Sequence, residues 1–309
     1  MSVDLLKMFA CVLAVAACTP GERPTEAIEG GESLPQVYAV NYPLAYIAER
    51  IAGESVTVIF PAPPDADPAF WSPTAETVAD YQRADLVLLN GATYAGWIPR
   101  ATLSRSRLVD TSAALADQLI PVDDTVTHSH GPGGDHSHQG TAFTTWLDMK
   151  FAAGQARAAF DALVRLRPEM EPDFRGRLRE LEKELGELDK RLQDVAGRIG
   201  DRPLVFSHPV YQYLVRGYGL NGRSVHWEPQ EMPGDEQWRE LSDVLSTHAA
   251  AWMIWEDEPL PDIANRFERM GIESIVFRPC GNRPAEGSFV SVMLDNVVAL
   301  EQAFPASAL

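Results

Sequence analysis

The chain has 309 residues, 45% of them hydrophobic, and a formal net charge of -18 at pH 7. That balance excludes a nucleic-acid binder, which needs a basic face for phosphate, and leaves room for two domains with buried cores. Three cysteines are too few for a disulfide framework or a cysteine metal cluster, so core packing must hold the fold.

Residues 1–18 read as a lipoprotein signal peptide. Lys7 gives a thin positive start despite Asp4, Met8 to Ala17 form an apolar stretch too short to span a bilayer, and Val15-Ala16-Ala17 place small residues before Cys18. A cysteine at that point is the acyl acceptor of a lipid anchor; an ordinary signal with an incidental cysteine is the competing reading. Residues 19–34, rich in Pro, Glu and Gly, read as a tether. Export places the mature protein in the periplasm, held at the membrane by its anchor.

Val37 to Val40 predict a strand, followed by a helix from Pro43 to Ile51 that Gly53 stops. Val56 to Phe60 form the next strand, Ala75 to Arg83 a helix, Asp85 to Asn90 a continuous apolar strand, and Leu108 to Asp110 a short one. Strands alternating with helices imply a parallel sheet with crossovers, so residues 35–148 are an N-terminal α/β lobe. Residues 149–199 are helical, with Pro168 as an interruption. From Asp173 to Arg198, Leu178, Leu181, Leu185, Leu188, Leu192 and Val195 recur at steps of three and four on an otherwise charged helix. A short coiled coil competes with this reading, but a helix bridging two lobes suits the length better.

The α/β rhythm resumes over residues 200–309. Strands are predicted at Leu204 to Ser207, Ala251 to Trp255 and Ser274 to Phe277, with helices at Tyr211 to Tyr218, Ile263 to Met270 and Ser291 to Phe304. The fold class is therefore α/β: two lobes with parallel sheets joined by one long rigid helix, and a ligand cleft between the lobes at the strand C-termini.

Several segments carry a resemblance. Asn41-Tyr42-Pro43-Leu44-Ala45 opens a helix after a strand, and Asp65 to Pro73 form a Pro-rich turn. Ala84 to Gly91 read ADLVLLNG, Trp146-Leu147-Asp148 precede the middle helices, and Phe206-Ser207-His208 is followed by Tyr213 and Tyr218-Gly219-Leu220. In order and spacing these resemble the metal-specific solute-binding proteins of ABC importers, the zinc/manganese (TroA-like) family, over nearly the whole mature chain. The resemblance implies a monomeric, non-enzymatic protein that captures a divalent metal (zinc first, manganese or another divalent ion next) and hands it to an ABC permease driven by its ATPase. No nucleophile–base pair or phosphate loop argues for an enzyme.

The resemblance also exposes a departure. Of the four positions at which it implies metal ligands, the chain has Ala69, Thr144, His208 and Arg278, so one donor remains and a cation stands where a carboxylate is expected. Two other sources of donors are present. His128-Ser129-His130 and His136-Ser137-His138 put four of seven histidines within eleven residues of a histidine-rich loop, 127–139. In extended chain each His-x-His points two imidazoles one way, and the glycines between allow the pairs to meet. Candidates for a rebuilt cleft site are His208, Glu256, Glu228 and one or two of the loop histidines, His208 and Glu256 ending adjacent strands; a salt bridge from Glu256, for instance to Arg278, competes with ligation. His226 and His248 read as surface or turn residues. Trp71, Trp97, Trp146, Trp227 and Trp255 lie near strand ends, and Trp71 and Trp146 flank lost ligand positions. A Trp-lined cleft for an organic solute is the second functional reading, and an adhesion or scaffold lipoprotein the third.

Overall fold

Two four-stranded parallel sheets of matching topology organise the chain. The computed structural model describes residues 33–122, 127–129, 135–137 and 140–306. The signal segment, Cys18 and the tether as far as residue 32 lie outside the described residues, as do His130 and His138.

The first lobe runs β1 (Gln36–Ala39), α1 (Tyr42–Ala52), β2 (Thr57–Ile59), α2 (Ala75–Arg83), β3 (Leu86–Leu89) and β4 (Leu108–Asp110), with sheet order β2-β1-β3-β4. Val37, Ala39, Val87 and Leu88 are buried, as the two central strands of a helix-covered parallel sheet must be. Capping follows the sequence: Asn41 accepts the Leu44 amide at 3.0 Å before Pro43 starts α1, and Thr74 accepts that of Thr77 at 3.2 Å before α2. Beyond this sheet, β5 (Pro121–Val122) pairs antiparallel with β8 (Gly140–Thr141). Between them lie β6 (Thr127–Ser129) and β7 (Asp135–Ser137), a second antiparallel pair whose backbone register sets His128 opposite His136.

Next come α3 (Met149–Leu166), a single short turn at Pro168–Met170, and α4 (Glu171–Ile199). The predicted leucine stripe is buried: Phe174, Leu178, Leu181, Leu185, Leu188, Leu192, Val195 and Ile199 face inward against α3, α1 and α8 (Phe289–Ala303). Intrachain packing thus consumes the stripe that a coiled-coil dimer would have used. Arg50 of α1 holds Glu184 through two bonds of 2.8 and 2.7 Å, and Arg191 holds Glu301 of α8 through two of 3.1 and 2.6 Å. One helix is therefore forked to both lobes by bidentate pairs, which fix geometry as well as charge.

The second lobe runs β9 (Pro203–Phe206), α5 (Gln212–Tyr218), β10 (Asn221–Ser224), α6 (Asp235–Thr247), β11 (Trp252–Trp255), α7 (Pro261–Met270), β12 (Glu273–Val276) and α8, with sheet order β10-β9-β11-β12. Two of these elements escape the sequence pattern. β10 reads Asn-Gly-Arg-Ser, a polar edge strand with no apolar alternation. Its Gly222 lies so close to Phe206 that a Cβ would stand 2.3 Å from the ring. α6 buries only Leu241 fully, too sparse a signal to read.

Candidate metal centre

The sheet order of the second lobe reverses direction between β9 and β11, the place where an open parallel sheet leaves a crevice at its carboxyl edge. The pairing continues past the strand ends. The Ser207 amide donates to Ile254 O at 2.8 Å, Val225 to Phe206 O at 2.9 Å and Trp227 to Ser207 O at 2.7 Å. Three chains thus leave the sheet side by side, and His208, Glu228 and Glu256 follow β9, β10 and β11 respectively. Each offers one donor atom, and these atoms lie within 4.8 Å of one another. His208 Nδ1 is 3.8 Å from Glu228 Oε1.

This geometry is close to a ligand set. Donors on a tetrahedral zinc ion, with bonds of about 2.0–2.2 Å, stand roughly 3.4 Å apart, so side-chain movements of about 1 Å close the shell. His208 is 2% exposed, which excludes a freely hydrated imidazole. Burial first, then the charges of Glu228, Asp67 and Asp257, push the Glu256 carboxyl up to about 8. Positive charge placed beside Glu256, such as that of a divalent cation, would favour its ionised form.

Neighbouring elements hold the three donors. Gln237 of α6 donates to His226 O at 3.2 Å and accepts the Gly234 amide at 2.8 Å, steadying the loop that carries Glu228. The Leu260 amide donates to Pro229 O at 2.9 Å and Gln230 to Glu258 O at 2.6 Å, fastening that loop to the one after Glu256. Tyr211 hydroxyl donates to Phe277 O at 2.8 Å; burial, then the charge of Glu256, raise its pKa.

His226 and His248 are not ordinary surface residues. The His226 ring packs edge-on to His208, centroids 5.7 Å apart. His248 is buried with Nε2 3.0 Å from Leu204 O, part of the core behind α6. The sequence offered no warning of either, because both depend on elements it did not reveal. Arg278 pairs with Asp257 at 2.9 Å and Glu258 at 3.8 Å, so its partners are the two carboxylates after Glu256 rather than Glu256 itself, the alternative to ligation. Its charge is thereby balanced outside the donor cluster.

The first lobe contributes differently. Asn41 donates to Asn90 Oδ1 at 3.1 Å, and Asn90 to Phe143 O at 2.9 Å, fixing the segment before Trp146. Thr144 is buried with its hydroxyl bonded to Val210 O, and Ala69 is buried, so neither lost ligand position presents a donor. Phe70 and Phe143, their neighbours, pack edge-on with centroids 5.7 Å apart. Four of the five tryptophans are buried. Trp146 is buried with Nε1 2.7 Å from Pro279 O, and Trp97 packs on Tyr81. Trp227 and Trp255 are core residues grouped with Phe267, and Trp71 alone of the five is partly exposed. The side chains of His128 and His136 lie outside what the structure describes.

A family model described as zinc-uptake complex component A, periplasmic (ZnuA), matches residues 37–303. The zinc-binding lipoprotein AdcA of Streptococcus pneumoniae is 23% identical over 97% of this chain and 60% of its own length. The high-affinity zinc uptake system protein ZnuA of Bacillus subtilis is 22% identical over 82% of this chain and 80% of its own. The crystal structure of Zn(II)-bound AdcA from S. pneumoniae superposes with a TM-score of 0.73 at 20% identity, covering 90% of this chain and 59% of that one. At that identity the likeness speaks for the fold. This chain spans about 60% of the length of AdcA.

Proposed function

Because the chain belongs to the periplasmic zinc-uptake component A family, a family of solute-binding proteins and not of enzymes, we propose that it captures a divalent metal, zinc foremost, for an ABC importer. The cargo ion sits on His208, Glu228 and Glu256 at the second-lobe crevice. The carrying observation is the convergence of these three donors within 4.8 Å of one another. One imidazole and two carboxylates suit zinc and tolerate manganese. The ion then passes to the membrane permease and its ATPase. In this reading Cys18 carries the lipid that anchors a monomeric protein to a membrane in the periplasm, and the loop histidines 128, 130, 136 and 138 form a separate, weaker metal-collecting element.

Zinc titration of the dialysed mature protein, beside His208→Ala, tests this. Removing one ligand should weaken binding at least as much as losing an outer-shell partner does, about 10–100-fold. Equal affinity in the two proteins would refute the cleft site.

A further inference from the structure

Three donors, all from one lobe, leave a four-coordinate ion one ligand short. The first lobe offers nothing at Ala69 or Thr144, but it does offer a carboxylate two residues before Ala69. Asp67 opens the single helical turn that ends at Trp71, its carbonyl accepting the amides of Phe70 at 3.1 Å and Trp71 at 2.8 Å. Its Oδ1 accepts the Ala69 amide at 2.8 Å, which sets the carboxylate's direction from within its own turn. The same loop is fastened to the second lobe. Asn282 Nδ2 donates to Pro63 O and Ala66 O, both at 2.7 Å, placing the residue before Asp67 against the segment that follows β12. Phe70, on the Asp67 turn, packs on Phe143; Phe143 adjoins Thr144, whose hydroxyl reaches Val210, two residues past His208.

Resting on the metal reading of the second-lobe cluster, we propose that Asp67 is the first-lobe ligand of this chain, its carboxylate closing the shell begun by His208, Glu228 and Glu256. The ion then bridges the lobes through a set of one imidazole and three carboxylates. The donor function has moved along the turn from the position of Ala69 to that of Asp67, and capture still depends on both lobes.

Zinc affinity by chelator competition and the visible spectrum of the cobalt(II)-loaded protein, on the full mature chain, test the assignment with Asp67→Asn and Asp67→His. Asparagine keeps an oxygen for the Ala69 amide but is a poor ligand, so affinity should fall at least tenfold and the cobalt bands should shift. Histidine restores a ligand and should return most of the affinity with a spectrum of its own. Asp67→Asn binding zinc and cobalt as the wild type does, while His208→Ala does not, would overturn this inference and leave the metal reading standing. Loss in both Asp67 variants would show that Asp67 only shapes its turn, which also overturns it. A wild type that takes up neither ion defeats both readings together.

Discussion

Glu256 is the group whose titration most directly exposes the site. Its carboxyl stands at about 8 in the folded protein, against 4.5 when unperturbed, through burial and the charges of Glu228, Asp67 and Asp257. A raised acid favours folding in its protonated form, so the metal-free protein has this contribution at or below pH 4.5 and loses it as pH climbs toward 8. At 1.36 kcal/mol per unit, the full loss is about 5 kcal/mol, of which roughly 3 kcal/mol has gone by pH 7. Glu256→Gln removes the titration while keeping size and shape. Urea unfolding of the two metal-free proteins should therefore give similar stabilities at pH 5 and a Gln variant more stable by several kcal/mol at pH 8.5. The same protonation shows in binding: near pH 7 about nine in ten Glu256 carboxyls hold a proton that an arriving cation must displace. Zinc uptake by the wild type should release that proton, measured by calorimetry in buffers of different ionisation enthalpy, and the Gln variant should release correspondingly less. Parallel stability profiles from pH 5 to 8.5 would refute the placement of Glu256 in a crowded, poorly solvated cluster.

Deleting residues 127–139 should leave the tight zinc site at wild-type affinity and remove only weaker equivalents of metal per chain, as read by calorimetric titration. Loss of the tight site would instead assign it to the loop histidines. Leu185 lies in the middle of the buried α4 stripe, so Leu185→Ala should destabilise the metal-free protein by about 2–5 kcal/mol through lost transfer energy and a cavity. Thermal unfolding checks this, and an unchanged midpoint would mean that α4 is not packed as described.

The periodic elements were legible because their apolar residues carry the spacing of the surface they bury. The α2 bounds at Ala75 and Arg83, the α4 leucine stripe, and the apolar strands of β3 and β11 were all read from pattern alone. β10 and α6 were not, because an edge strand of polar residues and a helix with one fully buried leucine leave no periodic trace. That omission mattered, since β10 delivers Glu228 and α6 steadies the loop that holds it. It also hid the placement of His226 beside His208.

What the sequence determined by itself was the α/β rhythm, the bridging helix and the erosion of the expected ligand positions, visible as Ala69, Thr144 and Arg278. It also named His208, Glu256 and Glu228, together with the loop histidines, as candidates for ligation. Only the tertiary structure decided that His208, Glu228 and Glu256 meet, that Arg278 spends its charge on Asp257 and Glu258, and that Trp97, Trp146, Trp227 and Trp255 are buried. The physical reason is range. Periodicity and turn chemistry act over a few residues, whereas the 20- and 28-residue gaps separating His208, Glu228 and Glu256 are closed only by the register of parallel strands.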